Sequence, residues 1–562
     1  MYNSSAFLMA TGSMASYVAL ALVLCTAVGA GFGIFRRSGA ESLDNRIALA
    51  LLPTGFLIAA TLLVEHLTSS LNSPWPAARL TPLFALRYGY RLYYGPDQGP
   101  ILDTIYTPLS ALLYFPALIF STPVPAVLAG TVLACCYSFA PVLYIIRRTI
   151  SPATLVRAAP AFLAFFLLAC TLDPLNTSMF SIHADAPALG LGAAAIASLL
   201  YTKGERSLMG SSVLVVMAIN AKQVAAPLPA VLCLYVLLTR GFRPMLRYFA
   251  YLAAGLAAFA LLWAVWFGWR EFTFNTLVEP GLHPFRLPNC QSCTPATLTQ
   301  DKLKILIKLA RINSRVFLEE MFWIPVGYAL LAALAYRAET RRSIRMWLAD
   351  NPWALWCAAG IAQVSTGLLG RAKVGGFANA YSYSFYFLLL GLVSLALSVG
   401  CAPDLAHVAR RGVKAAGLAL LVVLMLARLP QYFGAARAVR SLQNNPVEAS
   451  YLYILSHPAH VYFPWFVLSE LLAEKRLYHF EYGVVDRELA GYPPTREHWS
   501  AYIPQALEQV AFWPIQDMQA LDYLPEFRTR VGVPQLPGWI VWERAPPGAS
   551  SPPAPMRQPN IR

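Results

Sequence analysis

Long apolar runs recur along most of this chain, and they constrain the solvent in which it can fold. Only 13% of its 562 residues are charged, and the mean hydropathy is +0.52. A soluble domain carries about 25% charged residues, and disordered chains are less apolar than this one. Because roughly 20 apolar residues cross a bilayer as a helix, the sequence predicts an α-helical polytopic membrane protein.

The apolar runs divide into twelve predicted membrane spans. They lie at about 15–35, 46–67, 123–146, 155–172, 186–202, 208–221, 226–240, 248–269, 317–336, 352–370, 380–400 and 414–431. The first run has no basic segment before it, so we interpret it as a retained span and not as a cleaved signal peptide. The sixth and seventh runs are short for membrane spans.

Lysine and arginine in the short loops indicate which side of the membrane each loop occupies. Six loops together hold 17 Lys and Arg residues against six acids, and all six fall on one side if the count is twelve. Both termini are then expected on the extracytoplasmic side. The net charge of +15 is divided among these loops and forms no basic stripe, so no nucleic-acid partner is expected.

The span count defines three predicted regions. Residues 1–431 form the transmembrane region, with outside loops at 68–122, 173–185, 270–316 and 371–379. Residues 432–544 are far less apolar and contain two strand-like runs, His460–Pro464 and Trp539–Trp542. They predict a small extracytoplasmic α/β domain. Residues 545–562 are rich in Pro, Ser and Ala, and we expect them to be disordered.

Cys290 and Cys293 are the two cysteines that lie in an outside loop, where oxidation is permitted. The spacing favours a local disulfide. The alternative is that the two cysteines form half of a metal site, which needs two further ligands. The sequence does not identify those ligands or a metal. The other seven cysteines lie in or at the ends of apolar runs, as small buried side chains do.

The first outside loop contains two carboxylates, Asp97 and Asp103, at the mouth of the membrane. A carboxylate in a partly dry site is suited to act as a general base, so both are candidate catalytic residues. The alternative is that both are solvated loop acids. Tyr106 in the same loop is a candidate substrate contact.

In the second outside loop, His183 and Asp185 come directly before an apolar run. Ionisable groups at the membrane boundary are costly unless they are used. Asp185 is therefore a candidate second acid, and His183 a candidate substrate or metal contact. The alternative is that Asp185 only caps the helix that follows.

Two further segments supply candidate ligands for an anion such as phosphate. Lys222 and Gln223 lie between the two short apolar runs, where a broken membrane helix brings charge to a binding site. A snorkelling lysine is the alternative. Arg371, Lys373 and Asn379 lie in an outside loop with a Gly-Gly pair, and the two cations depart from the positive-inside pattern.

These features together resemble the GT-C superfamily of integral-membrane glycosyltransferases. The resemblance is carried by GPDQGPILDTIYTPLSALLY (95–114), SIHADAPALGLG (181–192), NAKQVAAPLPA (220–230) and KVGGFANAY (373–381). It is greatest to the bacterial branch related to protein mannosyltransferases and aminoarabinose transferases. It implies a bacterial inner-membrane enzyme that takes a sugar from a polyprenyl phosphate.

The resemblance also implies roles for the candidate residues. Asp103 or Asp97 would deprotonate an extracytoplasmic lipid, glycan or protein acceptor, and attack at the anomeric carbon would proceed with inversion. Asp185 would be the second acid, while Lys222, Arg371 and Lys373 would hold the phosphate. A divalent metal is a possible cofactor. The chain departs from the family in having an additional first span and no acid within 68–96.

Two other functions are compatible with the sequence. One is a transporter or flippase of lipid-linked or anionic substrates, and the other is a non-catalytic membrane assembly protein. A transporter is expected to carry ionisable residues near the middle of its spans and to show an internal repeat. Here the ionisable residues gather at the outer ends of the apolar runs, which favours chemistry at the membrane surface.

Overall fold

The computed structural model describes residues 43–102, 104–149, 155–285, 302–335, 343–401, 407–428, 439, 445–514, 516 and 518–545. Helices dominate this part of the chain. The first half contains α1 (Leu43–Ser69), α2 (Pro74–Arg87), α3 (Leu109–Leu112), α4 (Pro123–Thr149), α5 (Leu155–Thr171), α6 (Asp173–Met179), α7 (Asp185–Tyr201), α8 (Gly204–Ala221), α9 (Leu228–Arg240), α10 (Phe242–Phe267), α11 (Trp269–Thr273) and α12 (Glu279–Leu282). Short 3₁₀ or π turns occupy Phe115–Ile119, Gln223–Ala225 and Phe274–Val278.

The second half continues the helical bundle and ends in a mixed segment. Its membrane part contains α13 (Lys302–Met321), α14 (Trp323–Ala335), α15 (Ile344–Asp350), α16 (Trp353–Ala362), α17 (Val364–Ala372), α18 (Ser382–Cys401) and α19 (His407–Ala427). A 3₁₀ turn at Ala378–Tyr381 precedes α18. The C-terminal segment contains α20 (Pro446–Ser456), β1 (Val461–Tyr462), α21 (Val467–Glu474), α22 (Glu481–Leu489), α23 (Arg496–Ala501), β2 (Gln509–Phe512), α24 (Ala520–Tyr523), β3 (Phe527–Val531) and β4 (Ile540–Arg544).

The helices agree with the predicted spans from 46–67 onward, each of which overlaps one helix or two consecutive helices. The predicted span 15–35 lies outside the described residues, as does almost all of the predicted tail 545–562. Among the described helices, six are long and apolar enough to cross a membrane, or up to eight if each bent pair is one span. The count of twelve stays a prediction.

Small residues let α7 pack closely within the bundle. Its buried face includes Ala186, Gly190 and Ala193, and the helix packs against α4 and α8. A Cβ atom added to Gly190 would lie 2.3 Å from the backbone oxygen of Tyr137 in α4. Small residues allow helix backbones to approach in this way inside membranes. The close contact fixes the position of Asp185, the first residue of α7.

Two breaks in the helices shape one end of the bundle. The chain is extended at Lys222, between α8 and the turn before α9. The axes of the segments Ala159–Thr171 and Asp173–Met179 differ by 99°, so α6 runs across the end of α5. Pro174 at the start of α6 cannot continue the preceding helix, which accounts for the break.

The C-terminal segment contains helices and a small mixed sheet, which agrees with the α/β composition that the sequence predicts for it. The strand order is β1-β2-β4-β3, with β1 parallel to β2 and the other two pairs antiparallel. The strand-like runs His460–Pro464 and Trp539–Trp542 correspond to β1 and to the start of β4. Val510 on β2 pairs with both Tyr462 and Trp542, so the central strands bring the two runs together.

One hydrophobic core joins this sheet to the first outside loop. The cluster contains Leu83 and Phe84 of α2, Ile101 of the loop, and Val461 and Phe480 of the C-terminal segment. Trp75 at the start of α2 makes an edge contact with the ring of Tyr482, with 4.5 Å between ring centroids. The C-terminal segment therefore packs directly on the first outside loop.

The Gly190 contact predicts a stability difference. Gly190→Ala should lower the free energy of unfolding by about 1–3 kcal/mol, because overpacking forces α4 and α7 apart. Gly417→Ala in α19 is the matched control, since a Cβ there has no neighbour within 4 Å. Unfolding by sodium dodecyl sulfate in mixed micelles measures both variants. Equal stability of the two would contradict the close contact.

Candidate functional site

Four of the predicted outside segments meet at one end of the helical bundle. Tyr106 comes from the first outside loop, His183 from the second, Lys222 from the break after α8, and Asn379 from the turn before α18. His183, Lys222 and Asn379 contact the carboxylate of Asp185 directly. Tyr106 lies against His183 and Lys222. The structure thus brings together five of the residues that the sequence singles out.

Asp185 is fully buried and receives three side-chain donors. Its Oδ1 atom lies 2.5 Å from Nζ of Lys222, while its Oδ2 atom lies 2.6 Å from Nδ1 of His183 and 3.0 Å from Nδ2 of Asn379. Lys222 is only 5% exposed. An unpaired buried carboxylate would cost several kcal/mol, whereas one with a cation and neutral donors is stable. The arrangement explains how this charge persists inside the protein.

Local chain geometry places these groups. Asp185 begins α7 and Lys222 follows α8, and because the two helices form an antiparallel hairpin, both residues lie at its open end. The positive end of the α7 dipole also favours the carboxylate. Asn379 follows a tight turn in which Gly375 has φ +80° and a Cβ on Gly376 would lie 2.1 Å from the backbone oxygen of Gly370.

The hydrogen position on His183 follows from its two neighbours on Nδ1. This nitrogen lies 2.6 Å from the Asp185 carboxylate and 3.2 Å from the Asp185 backbone nitrogen. One nitrogen cannot donate to the first and accept from the second, and the shorter contact to the charged group is the stronger. We therefore assign the hydrogen to Nδ1, which leaves Nε2 as an acceptor.

Burial and nearby cations keep this imidazole neutral. Burial lowers the pKa of His183 to about 3, assisted by the positive charges of Arg79 and Lys222 and opposed by Asp185. The hydroxyl of Tyr114 donates to the backbone oxygen of His183 at 2.8 Å and fixes the loop. The ring therefore has one protonation state and one orientation at neutral pH.

A cleft opens beside this cluster. Its polar lining includes Arg79, Thr104, Tyr106, Thr107, Ser110 and His183. The Tyr106 ring lies within cation–π distance of two cations, with its centroid 5.4 Å from Lys222 Nζ and 6.0 Å from Arg79 Cζ. One cation and several hydroxyl groups form a lining suited to an oxyanion and to a polyhydroxylated ligand.

Three of the predicted phosphate ligands contact backbone carbonyls. Gln223 donates to the oxygens of Ile105 and Thr276, both at 3.3 Å. Arg371 donates to Gly376, and Lys373 donates to Pro280. These bonds tie the outside loops together. A phosphate-binding role for these residues stays a prediction.

The remaining predicted residues have different positions. Asp97 is exposed in the turn of the first outside loop. Asp103, Cys290 and Cys293 lie outside the described residues, so the base and disulfide predictions made on them stay predictions. Thr104, the residue after Asp103, lines the cleft.

The C-terminal segment holds the first outside loop by three buried side chains. Arg487 donates to the backbone oxygens of Gly95 and Pro96, at 3.2 and 2.9 Å. Nδ1 of His479 accepts from the backbone nitrogen of Ile101 at 3.0 Å, and burial lowers the pKa of His479 to about 3, which preserves the neutral acceptor. His498 bonds to the oxygen of Gly99 at 2.7 Å. This contact fixes the chain that leads into the cleft.

Sequence reasoning missed Arg79, which lies on α2 and lines the cleft. Its guanidinium lies 5.4 Å from the centroid of the Trp75 ring. A signal was present, because residues 68–96 contain three arginines and no acid on the predicted outer side. Positive charge there departs from the positive-inside pattern in the same way as Arg371 and Lys373.

No metal site is evident in the described part of the chain. Within those residues, no group of three or more His, Cys, Asp and Glu side chains is arranged to hold a metal ion. The three contacts on Asp185 come instead from nitrogen donors.

No protein-family model and no curated protein sequence matches this chain. Among solved structures, the chain is similar to ArnT from Cupriavidus metallidurans bound to undecaprenyl phosphate. The TM-score is 0.50 at 11% sequence identity, and the match covers 87% of this chain and 97% of ArnT. The chain therefore shares its overall membrane fold with this ArnT structure, and an identity of 11% does not distinguish a particular family or branch.

The buried ion pair predicts a strong dependence of stability on Lys222. Lys222→Met should lower the free energy of unfolding by about 3–5 kcal/mol, because Asp185 then lacks its cation. The additional change Asp185→Asn should restore part of that loss. Arg247→Met breaks the exposed pair with Glu205 and serves as control, with an expected loss of at most about 1 kcal/mol. Equal losses for Lys222→Met and Arg247→Met would contradict the buried pairing.

Proposed function

We propose that this protein is a membrane glycosyltransferase that moves a sugar from a polyprenyl-phosphate donor to an extracytoplasmic acceptor, with inversion. The observation that carries the proposal is the buried Asp185 cluster beside a polar cleft at one end of an apolar helical bundle. The ArnT likeness supports it, since that structure was solved with undecaprenyl phosphate.

The position of the cleft suits a lipid-linked donor. The polyprenyl chain remains among the apolar helices, while the phosphate and the sugar enter the polar cleft. Arg79 is the cation in the cleft lining, and a guanidinium forms paired hydrogen bonds with phosphate oxygens. Thr104 offers a hydroxyl to the sugar or to a phosphate oxygen. The hydroxyls of Thr107 and Ser110 donate to backbone oxygens, so they are left as acceptors for sugar hydroxyls.

The reaction needs a stabilised leaving group and an activated acceptor. The cations stabilise the phosphate as its bond to the sugar breaks. The acceptor attacks the anomeric carbon from the face opposite the phosphate, which inverts the configuration. The resemblance to GT-C enzymes proposes Asp103 or Asp97 as the base and Asp185 as a second acid, with Lys222, Arg371 and Lys373 as further phosphate ligands.

The same arrangement argues against transport as the primary activity. The Asp185 cluster lies where helices begin or break, at the end of the bundle that also carries the C-terminal segment. A reaction at the membrane surface uses groups in this position. A transporter carries its binding groups near the middle of the bilayer.

The donor site predicts a binding defect in one variant. Arg79→Gln should weaken the binding of a polyprenyl phosphate by about 10- to 100-fold, the equivalent of one charged hydrogen bond of about 1.5–3 kcal/mol. Full-length protein in nanodiscs, titrated with undecaprenyl phosphate, measures this affinity. Arg247→Gln, far along the chain on α10 and exposed, is the matched control and should bind like the wild type.

A second measurement addresses the reaction itself. The wild-type protein should release or transfer sugar from a radiolabelled pool of polyprenyl-phosphate sugars. Binding of donors without turnover of any of them would contradict the transferase function. That result is expected of a flippase or of an assembly protein.

A further inference from the structure

We propose that His183 is the general base of this transfer and that Asp185 is the positioning residue that orients it. The inference rests on the proposed function. It names the proton acceptor within the same cleft, and it differs from the GT-C resemblance, in which a carboxylate of the first outside loop takes the proton.

The orientation of the imidazole carries the argument. Its Nδ1–H group points at Oδ2 of Asp185, 2.6 Å away, so the opposite nitrogen carries the lone pair, which accepts from the Tyr106 hydroxyl until a substrate group replaces that hydroxyl. That Nε2 atom lies 3.4 Å from the Tyr106 hydroxyl, and both residues line the cleft. A buried carboxylate that holds one imidazole nitrogen while the other faces the substrate is an established arrangement for proton transfer.

Asp185 itself is poorly suited to take the proton. Both of its oxygens already accept short contacts, from Lys222 on one side and from His183 and Asn379 on the other. The side chain is fully buried and does not line the cleft. Its effect on the reaction therefore passes through His183.

The charges around His183 couple its basicity to the donor. Arg79 and Lys222 act on the imidazole from α2 and from the break after α8, Asp185 acts from α7, and the Tyr106 and Tyr114 hydroxyls lie nearby. Without donor, burial and the two cations hold the pKa of His183 at about 3. A donor phosphate beside Arg79 offsets one positive charge and raises that pKa. The base is therefore strengthened when the donor is bound.

The proposed step balances without any added reactant. The proton of the acceptor O–H or N–H moves to Nε2 of His183 while the acceptor atom bonds to the anomeric carbon. The bond from that carbon to the phosphate oxygen breaks, and its electron pair leaves with the polyprenyl phosphate. Asp185 stabilises the imidazolium, which then returns its proton to water.

The main test compares turnover and donor binding in nanodiscs. His183→Gln should lower the single-turnover rate by about 10²- to 10⁴-fold, the usual contribution of a general base, with donor affinity unchanged. His460→Gln, an exposed histidine of the C-terminal segment, is the matched control and should keep the wild-type rate.

Chemical rescue separates a base from a structural residue. In His183→Ala, added imidazole should restore part of the rate, and the rescue should grow with pH as free imidazole loses its proton. Asp185→Asn should lower the rate at unchanged donor affinity. Combining it with His183→Ala should cost no more than His183→Ala alone, because residues that act as one unit are not additive.

The outcomes separate this inference from the proposed function. No turnover in the wild type overturns the proposed function. Wild-type turnover with full activity in His183→Gln, or loss in Asp103→Asn without loss in His183→Gln, overturns the inference alone. If His183→Gln loses donor binding together with turnover, His183 has a structural role and the inference is overturned. Rescue of His183→Ala by added imidazole is the one result that would uphold the inference in that case.

Discussion

The pairing of one fully buried carboxylate, Asp185, is the constraint on which the site depends. A charge at this depth persists only with partners. One partner, His183, comes from the same loop, while Lys222 and Asn379 come from segments 37 and 194 positions further along the chain. Lys222 can reach it because α8 ends there, and α7 can hold it because glycine allows close contact with α4. The same contacts that satisfy the charge fix the imidazole of His183 at the cleft.

The sequence predicts part of this arrangement for a clear physical reason. Asp185 and Lys222 stand out as ionisable residues at the ends of apolar runs. They are 37 positions apart, and the consecutive helices α7 and α8 form a hairpin that brings both to its open end. Asn379 contacts Asp185 across 194 positions, and no sequence period encodes such a contact. Arg79 escapes notice because it is one of three arginines within residues 68–96, and nothing in the sequence distinguishes the one that lines the cleft.

In the C-terminal segment too, the sequence predicts local structure but not the long-range contacts. Two strand-like runs predict β1 and the start of β4, and both belong to the sheet that the structure shows. Its role as a support for the first outside loop depends on hydrogen bonds such as that from Ile101 to His479, which are 378 positions apart. These contacts, and the core shared with α2, connect the segment to the cleft. The first outside loop is thus held in place by the C-terminal segment. The composition of that segment predicts a separate small domain and gives no sign of this supporting role.

An experimental structure of the full-length protein in nanodiscs with undecaprenyl phosphate would show directly whether the phosphate enters the cleft beside His183. We expect phosphate density in the cleft, against the Arg79 guanidinium, with His183 still bonded to Asp185 through Nδ1. Phosphate density on the loop that holds Arg371 and Lys373, with the cleft closed or His183 turned away from Asp185, would contradict this expectation.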